Sequence, residues 1–238
     1  MVFSLVIPFY NEEECASQII DSLVQFLDSS AIDYELILVD NGSRDRTAAL
    51  IDQKVARHPR LKKVTVKVNE GYGWGIICGL QEAQGDYVGF MCGDGQIHPQ
   101  DVVKSMSYAS ESNCAMVKAC RNTRQDGLLR RIVTRIYNSI FALIFNLKTH
   151  DLNGTPKFFK RSYLDILDIQ SKDWFIDAEI IIKLESLGVK IDEIPVAFHA
   201  RKGGSSHVKI VTTCVQFLKN AYRMKTGKDF LEWKKSKR

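Results

Sequence analysis

Residues 86–99 read Asp-Tyr-Val-Gly-Phe-Met-Cys-Gly-Asp-Gly-Gln-Ile-His-Pro, and their reading decides how the chain is built. The apolar run Asp86 to Phe90 is a buried strand that stops in the small, acidic turn Met91 to Gln96. A strand ending this way delivers a carboxylate, that of Asp94, to the carboxyl edge of a sheet, where open α/β folds bind ligands. The plainer reading is a turn and nothing more, since Asp and Gly form turns for their own reasons.

Upstream, the same unit recurs. Val2 to Ile7 is an apolar strand stopped by Pro8, and Phe9-Tyr-Asn-Glu-Glu-Glu14 leads through an acidic first turn into a helix from Glu13 to Leu27. Tyr34 to Val39 is a second strand, ended by Asp40-Asn-Gly-Ser43 and followed by a helix from Ala48 to Ala56. Lys63 to Val68 is a third, ended by Asn69-Glu-Gly71, and a helix from Gly75 to Ala83 leads into the central strand. Downstream come a helix from Gln100 to Ser112 and a short strand, Ala115 to Ala119. Strand, polar turn, helix, repeated, predicts an α/β fold: a Rossmann-like, mostly parallel central sheet flanked by helices. The glycines of Gly71-Tyr-Gly-Trp-Gly75 let backbone approach a ligand closely. Their spacing, and their place after the third strand, exclude a dinucleotide fingerprint.

The second half changes character. Arg130 to Leu147 is helical in pattern, with Ile132, Ile136, Ile140 and Ile144 on one face and Val133, Tyr137, Phe141 and Phe145 on the next. Such a helix either packs in a core or oligomer contact, or rests on a membrane interface with Arg130, Arg131 and Arg135 toward headgroups. Lys157 to Lys160 is a short strand, and Trp174 to Leu184 a helix carrying Asp177 and Glu179. Residues two apart do not share a helical face, so these two are not an acid/base pair acting on one bond. Val189 to Val196 is another strand, Arg201 to Ser206 a basic loop, and Ile210 to Tyr222 an amphipathic helix.

Composition narrows the class. The 238 residues are 45% hydrophobic and 26% charged, ordinary for a folded domain long enough to bury a core. The net charge of +5 is modest, and its clusters at Arg130-Arg131 and Lys234 to Arg238 suit anionic lipid or a solvated face, with no nucleic acid expected. Six scattered cysteines lack metal-site or disulfide spacing, which predicts free thiols in a reducing compartment. Neither a signal peptide nor a membrane-spanning helix is expected from the opening Val2 to Ile7 or from the apolar runs.

Taken in order, the motifs resemble family 2 glycosyltransferases of the GT-A fold, and within them the dolichyl-phosphate mannose synthases and bacterial polyprenyl-phosphate glycosyltransferases. Val6-Ile-Pro-Phe-Tyr-Asn-Glu12 is similar to the family's opening motif, and Leu38-Val-Asp-Asn-Gly-Ser-Arg-Asp-Arg-Thr47 to its Val-Asp-Asp-Gly-Ser-x-Asp-x-Thr. The resemblance continues through Asn69-Glu-Gly-Tyr-Gly73 and Asp151-x-Asn-Gly-x-Pro-Lys157 to the segment from Ile194 to Ser206. It covers residues 2 to about 209.

That resemblance implies inverting transfer of a sugar from a nucleotide-sugar donor to a polyprenyl phosphate. The alternatives are a soluble hydroxyl acceptor, with Asp177 or another carboxylate as base, or a non-catalytic binding relative. It implies donor contacts from Pro8, Tyr10, Glu12, Asp40, Asn69 and Gly71, and a divalent ion, Mg²⁺ or Mn²⁺, held by Asp94 and Gln96. It implies acceptor-phosphate contacts from Arg121, Arg131, Arg135, Arg201, Ser206 and Lys209. Asp94, Arg121, Arg131 and Arg201 are the expected catalytic set. Residues 1–209 would form the GT-A domain, the donor half about 1–120 and the acceptor half about 121–209, with 210–238 an amphipathic helix and basic tail. Such a chain is expected at the cytoplasmic face of a membrane, and a homo-oligomer or membrane-protein partner is left open.

Three departures stand out. The family's Asp-x-Asp-x-Gln reads Cys92-Gly-Asp94-Gly-Gln96 here, so a thiol stands where the first carboxylate would be. A hard cation prefers oxygen to sulfur, so the ion site is expected to be weakened. In the earlier loop Asn41 replaces a second carboxylate, and His207 stands where the last loop usually carries Lys.

Overall fold

A computed structural model describes residues 1–124, 128–200 and 210–237. Its first half alternates β1 (Val2–Phe9), α1 (Ala16–Asp28), β2 (Asp33–Asp40), α2 (Thr47–Val55), β3 (Leu61–Thr65), α3 (Tyr72–Gln81), β4 (Tyr87–Phe90), α4 (Pro99–Ser112) and β5 (Met116–Arg124). The second half holds α5 (Leu128–Phe145), β6 (Lys157–Lys160), α6 (Leu164–Leu167), α7 (Ile176–Ser186), β7 (Ile191–Phe198), α8 (Ile210–Thr226) and α9 (Lys228–Ser236). The strands form one sheet in the order β3-β2-β1-β4-β6-β5-β7. All neighbours run parallel except β6, which is antiparallel to both β4 and β5. This is the Rossmann-like, mostly parallel α/β sheet flanked by helices that the sequence predicts.

The central strands read as continuous apolar runs because both faces of the sheet are covered. Leu5, Ile7, Leu36 and Leu38 pack with Ile20 and Leu23 of α1 and Val102 and Met106 of α4. Val6, Ile37, Val39 and Val88 pack on the other face with Ile76 and Leu80 of α3 and Ile180 and Leu184 of α7. The carboxyl ends of β1, β2, β4 and β5 therefore meet at one edge. The antiparallel β6 contributes its first residue there, with Lys157 opposite Phe90.

Three local expectations change. The acidic residues Glu12 to Glu14 precede α1, whose first turn carries none. Asn11 takes a left-handed φ of 53°. The next two N–H groups bind across the cleft, Glu12 N–H to Thr47 Oγ1 at 2.9 Å and Glu13 N–H to Asp45 Oδ2 at 3.1 Å. Those donors are thus spent on the following loop, and the helix begins later. Helix α3 begins at Tyr72, ahead of Gly75. The C-terminal tail is not all exposed chain: α9 packs back, with Trp233 buried and its indole N–H donating to the Ile166 carbonyl at 2.8 Å.

Helices α5 and α8 pack against each other and the body through Tyr137, Phe141, Phe175 and Phe217. Their opposite faces stay exposed: Ile132, Ile136, Ile140 and Leu143 on α5, Val215, Leu218 and Tyr222 on α8. The first face of α5 is thus not core within this chain, although the second is. Among the described residues no helix is long and apolar enough to cross a membrane.

Candidate active site

The turns at the carboxyl edge are knitted together before any ligand arrives. Asp40, buried at the end of β2, accepts the Ser43 N–H at 3.0 Å and so closes its own turn. Asn41 donates from Nδ2 to the Gly71 carbonyl at 3.0 Å, while its Oδ1 is buried without a partner. Asn69 Oδ1 accepts the Gly71 N–H at 2.8 Å. Asp40, Asn69 and Gly71 are thereby linked through Asn41. Pro8 is buried at the end of β1, and Tyr10 is half-buried just beyond it. Glu12 is buried and accepts the Cys15 thiol at 3.1 Å.

The glycines of the third loop have a packing use that their pattern alone does not show. A Cβ on Gly71 would lie 2.3 Å from the Lys172 carbonyl oxygen, and one on Gly73 2.3 Å from that of Ser171. Gly71 also takes a φ of 129°, reserved for glycine. These residues let the loop come close to the segment before α7.

After β4, Asp94 Oδ1 accepts the Gln96 N–H at 3.1 Å. Gln96 is held to the far side of the sheet: its Nε2 donates to the His199 carbonyl at 3.0 Å, and His199 N–H donates to the Gln96 carbonyl at 3.0 Å. Cys92 lies 3.2 Å from the Tyr72 hydroxyl. Burial, reinforced by the Asp94 charge, pushes its thiol up to about 12, so Cys92 is a neutral thiol at pH 7. Tyr72 is pushed well above its ordinary range by burial and the same neighbours.

The cations divide into two groups. Lys118, Arg121 and Lys157 are closed by ion pairs: Lys118 to Glu193 at 2.8 Å, Arg121 to Asp151 at 2.7 Å, and Lys157 to Asp177. Arg121 is gripped through both Nε and Nη2, and its own N–H also donates to Asp151. Burial alone would raise the Asp151 carboxyl, but Arg121 more than offsets this and holds it well below the usual carboxylate range. Burial lowers Lys157, with Asp177 opposing it. Arg131 and Arg135 on α5 are exposed. Helix α5 borders this cleft, since Asn138 Oδ1 accepts the Leu152 N–H at 3.3 Å. Arg201, Ser206 and Lys209 lie outside the described residues.

Tyr72, Lys157 and Tyr137 were not among the expected site residues. Lys157 closes the motif beginning at Asp151, and Tyr72 lies inside the glycine run, so sequence signals existed for both. Tyr137 read only as part of an apolar face, yet its hydroxyl is buried without a partner, with Asp177, Asp151 and Arg121 among its charged neighbours.

The model of the family described as "Glycosyl transferase family 2" matches residues 4–167. The chain belongs to that family. Among its curated relatives, the undecaprenyl-phosphate 4-deoxy-4-formamido-L-arabinose transferase of Edwardsiella ictaluri is 29% identical over 206 residues, 85% of this chain and 62% of the relative. The dodecaprenyl-phosphate galacturonate synthase of Rhizobium johnstonii is 30% identical over 213 residues, 88% of this chain and 62% of the relative. The chain thus spans about three fifths of the length of these family members. Among solved structures, glucosyl-3-phosphoglycerate synthase of Mycobacterium tuberculosis with Mn²⁺, UDP-glucose and phosphoglyceric acid shares the fold. Its TM-score is 0.73 at 20% identity, over 95% of this chain and 80% of that one.

Proposed function

We propose that this chain transfers a sugar, with inversion, from a nucleotide-sugar donor to a polyprenyl phosphate at the cytoplasmic face of a membrane. The observation that carries the reading is α5, which borders the cleft with Arg131 and Arg135 exposed beside an exposed apolar stripe. A phosphate on a long apolar tail needs that combination of cation and apolar surface. The names of the two curated relatives, both polyprenyl-phosphate enzymes, point the same way.

The donor half, about 1–120, would hold base and ribose over Pro8, Tyr10, Glu12 and Asp40, with Asn69 and Gly71 beside them. The acceptor half, about 121–209, would bring the lipid phosphate to the anomeric carbon. A phosphate oxygen then bonds to that carbon as the bond to the leaving diphosphate breaks. A phosphate monoester, with a second pKa of about 6, is already mostly ionised at pH 7, so no general base is required. A soluble hydroxyl acceptor would require one, and Asp177, the carboxylate named for that role, though another was left open, is buried against Lys157. The chain's task is orientation and charge stabilisation.

Among the described residues no cluster of three or more His, Cys, Asp or Glu side chains is placed to hold a metal ion. The donor set fits an ion that arrives with the substrate. Asp94 supplies a carboxylate, and the bond from Gln96 to His199 uses the amide nitrogen and not the amide oxygen. Two hard oxygens suffice only when diphosphate and water complete the shell. Bound there, Mg²⁺ or Mn²⁺ would offset charge on the leaving diphosphate. The solved relative holds Mn²⁺ together with UDP-glucose, so UDP-sugars with Mn²⁺ are the first donors to test.

The test is a transfer assay with a panel of nucleotide sugars, polyprenyl phosphate in mixed micelles, and product read by partition into organic solvent. Label in the organic phase supports the proposal. Transfer confined to water-soluble products would overturn it.

A further inference from the structure

Helix α8 has three distinct faces. Phe217 and Ala221 are buried, Phe217 against Tyr137 and Phe175. Val215, Leu218 and Tyr222 are exposed. Between them Gln216 and Asn220, one turn apart, converge on a single acceptor: Gln216 Nε2 and Asn220 Nδ2 donate to Asp173 Oδ2 at 2.5 and 2.9 Å. The other oxygen of Asp173 accepts the Phe175 N–H at 2.7 Å, ahead of α7.

The neighbours of Asp173 hold the glycine loop of the cleft. The Lys172 carbonyl accepts the Trp74 N–H at 3.0 Å, and the Lys172 ammonium sits 4.2 Å from the centre of the Trp74 ring and 2.6 Å from the Glu70 carboxylate. Trp174 stacks on Tyr72 with ring centres 4.1 Å apart and planes within 15°. Tyr72 reaches Cys92, and Gly71 receives Asn41. A run of direct contacts thus leads from α8, through Asp173, to the turns after β2 and β4. The bare backbones of Gly71 and Gly73 leave no slack between loop and segment.

We infer that Asp173 is a positioning residue: by seating α8, it fixes the segment Ser171 to Trp174 and through it the glycine loop, so the seating of α8 sets the affinity of the cleft for nucleotide sugar. The inference rests on the proposed reading that these turns hold the donor. Its physical basis is linkage: a ligand that needs the ordered loop binds more weakly when the population with that loop ordered falls. Because α8 also carries an exposed apolar face, its seating is open to influence from whatever surface that face meets.

The first measurement needs no ligand. In the full chain, Gln216→Ala combined with Asn220→Ala removes both donors from a helix flank and leaves the buried Phe217 and Ala221 in place. Hydrogen exchange at the amides of residues 72–76 is expected to speed up by about tenfold, within the usual range of coupling between sites. Amides of β1 and β2, which open only in global unfolding, should exchange as in the unmodified chain. Replacing Gln216 by Arg in the Asn220→Ala background restores a donor to Asp173 and should restore protection, which an unspecific loosening of α8 would not do. Unchanged exchange at residues 72–76 in the double variant, or no recovery with Arg, overturns the inference.

The second measurement is calorimetric titration with UDP and with GDP, each with Mn²⁺. The double variant should bind the accepted nucleotide about tenfold more weakly, and Gln216→Arg in the Asn220→Ala background should restore affinity. Equal affinity in the variant and the unmodified chain overturns the inference. If the unmodified chain binds neither nucleotide, it is the donor reading that fails, and the exchange experiment alone decides the coupling.

Discussion

On the side of the cleft proposed to hold the donor, Asp40 and Asp94 each accept a backbone N–H from their own turn. On the far side Lys118, Arg121 and Lys157 are each closed by a carboxylate brought from a distant segment. The first arrangement is local: a turn residue shapes its own loop and keeps its charge at the edge of the sheet. The second is tertiary, and it turns three cations that look like phosphate ligands into buried ion pairs. The α5 residues Arg131 and Arg135, by contrast, are exposed beside the cleft. A cation at a strand end is therefore a poor guide to an anion site until its partner is known, whereas an acidic turn can be read directly.

The comparison breaks most sharply at Lys157. Replacing it by Met removes the ammonium paired with the buried Asp177 carboxylate, and losing one member of a buried pair costs about 3–5 kcal/mol. Chemical denaturation should show a loss of that size. A loss under about 1 kcal/mol would mean that the pair behaves like a surface contact.

A smaller effect, and a different readout, is expected from the exposed cations. Arg131→Ala and Arg135→Ala should each weaken the apparent affinity for polyprenyl phosphate by about 1.5–3 kcal/mol, the value of a charge-assisted contact to phosphate. Donor affinity and stability should hold. Arg121→Ala should instead cost stability first, because it strips Asp151 of its partner. If Arg121→Ala leaves the melting temperature unchanged and weakens only the acceptor, the division between buried and exposed cations is wrong.

Proton linkage sharpens the same point. Asp151 has a folded pKa depressed below its unfolded value of about 3.9. The pair's contribution is therefore fully present above that value and is lost as pH falls toward the folded pKa. The stability difference between the unmodified chain and Asp151→Asn should be constant from about pH 5 to 8 and shrink below about pH 4. A difference that already shrinks between pH 7 and 5 would point to another titrating group.

These contrasts show why some parts of the molecule were legible in sequence. The strand runs, and the acidic turns at Asp40 and Asp94, are local patterns, and they placed most elements to within a few residues. The exceptions are tertiary. Glu13 was read as the start of α1 from its charge, but its N–H is taken by Asp45, on a loop the sequence does not show to be adjacent. Gly71 and Gly73 were read as letting backbone approach a ligand, and they also pack on Lys172 and Ser171, about 100 residues on, which no local pattern shows. Arg121 lacked its partner Asp151 for the same reason. The amphipathic pattern of α5 showed that two faces were apolar, yet not that one of them would stay exposed.

The finest test concerns Cys92, where donor side and cation side meet. Its thiol is neutral, contacts Tyr72, and has Asp94, Asp177 and Lys157 among its charged neighbours. Cys92→Asp adds a hard oxygen ligand beside Asp94, which favours a divalent ion. It also adds a third carboxylate near Asp94 and Asp177, where Lys157 is already paired with Asp177. Without metal these charges repel, and the Tyr72 hydroxyl is a neutral donor that offsets little of that repulsion. With metal and diphosphate present the balance reverses, because an ion answers the added charge directly. Cys92→Asp should therefore lower the Mn²⁺ concentration for half-maximal donor binding by a few-fold, while weakening donor binding in EDTA. Asp94→Ala should remove the metal dependence altogether. A metal titration of donor affinity across the three proteins reads both effects. If EDTA leaves donor binding by the unmodified chain untouched, Asp94 and Gln96 have no metal role, and the acidic turn after β4 serves only to shape its loop.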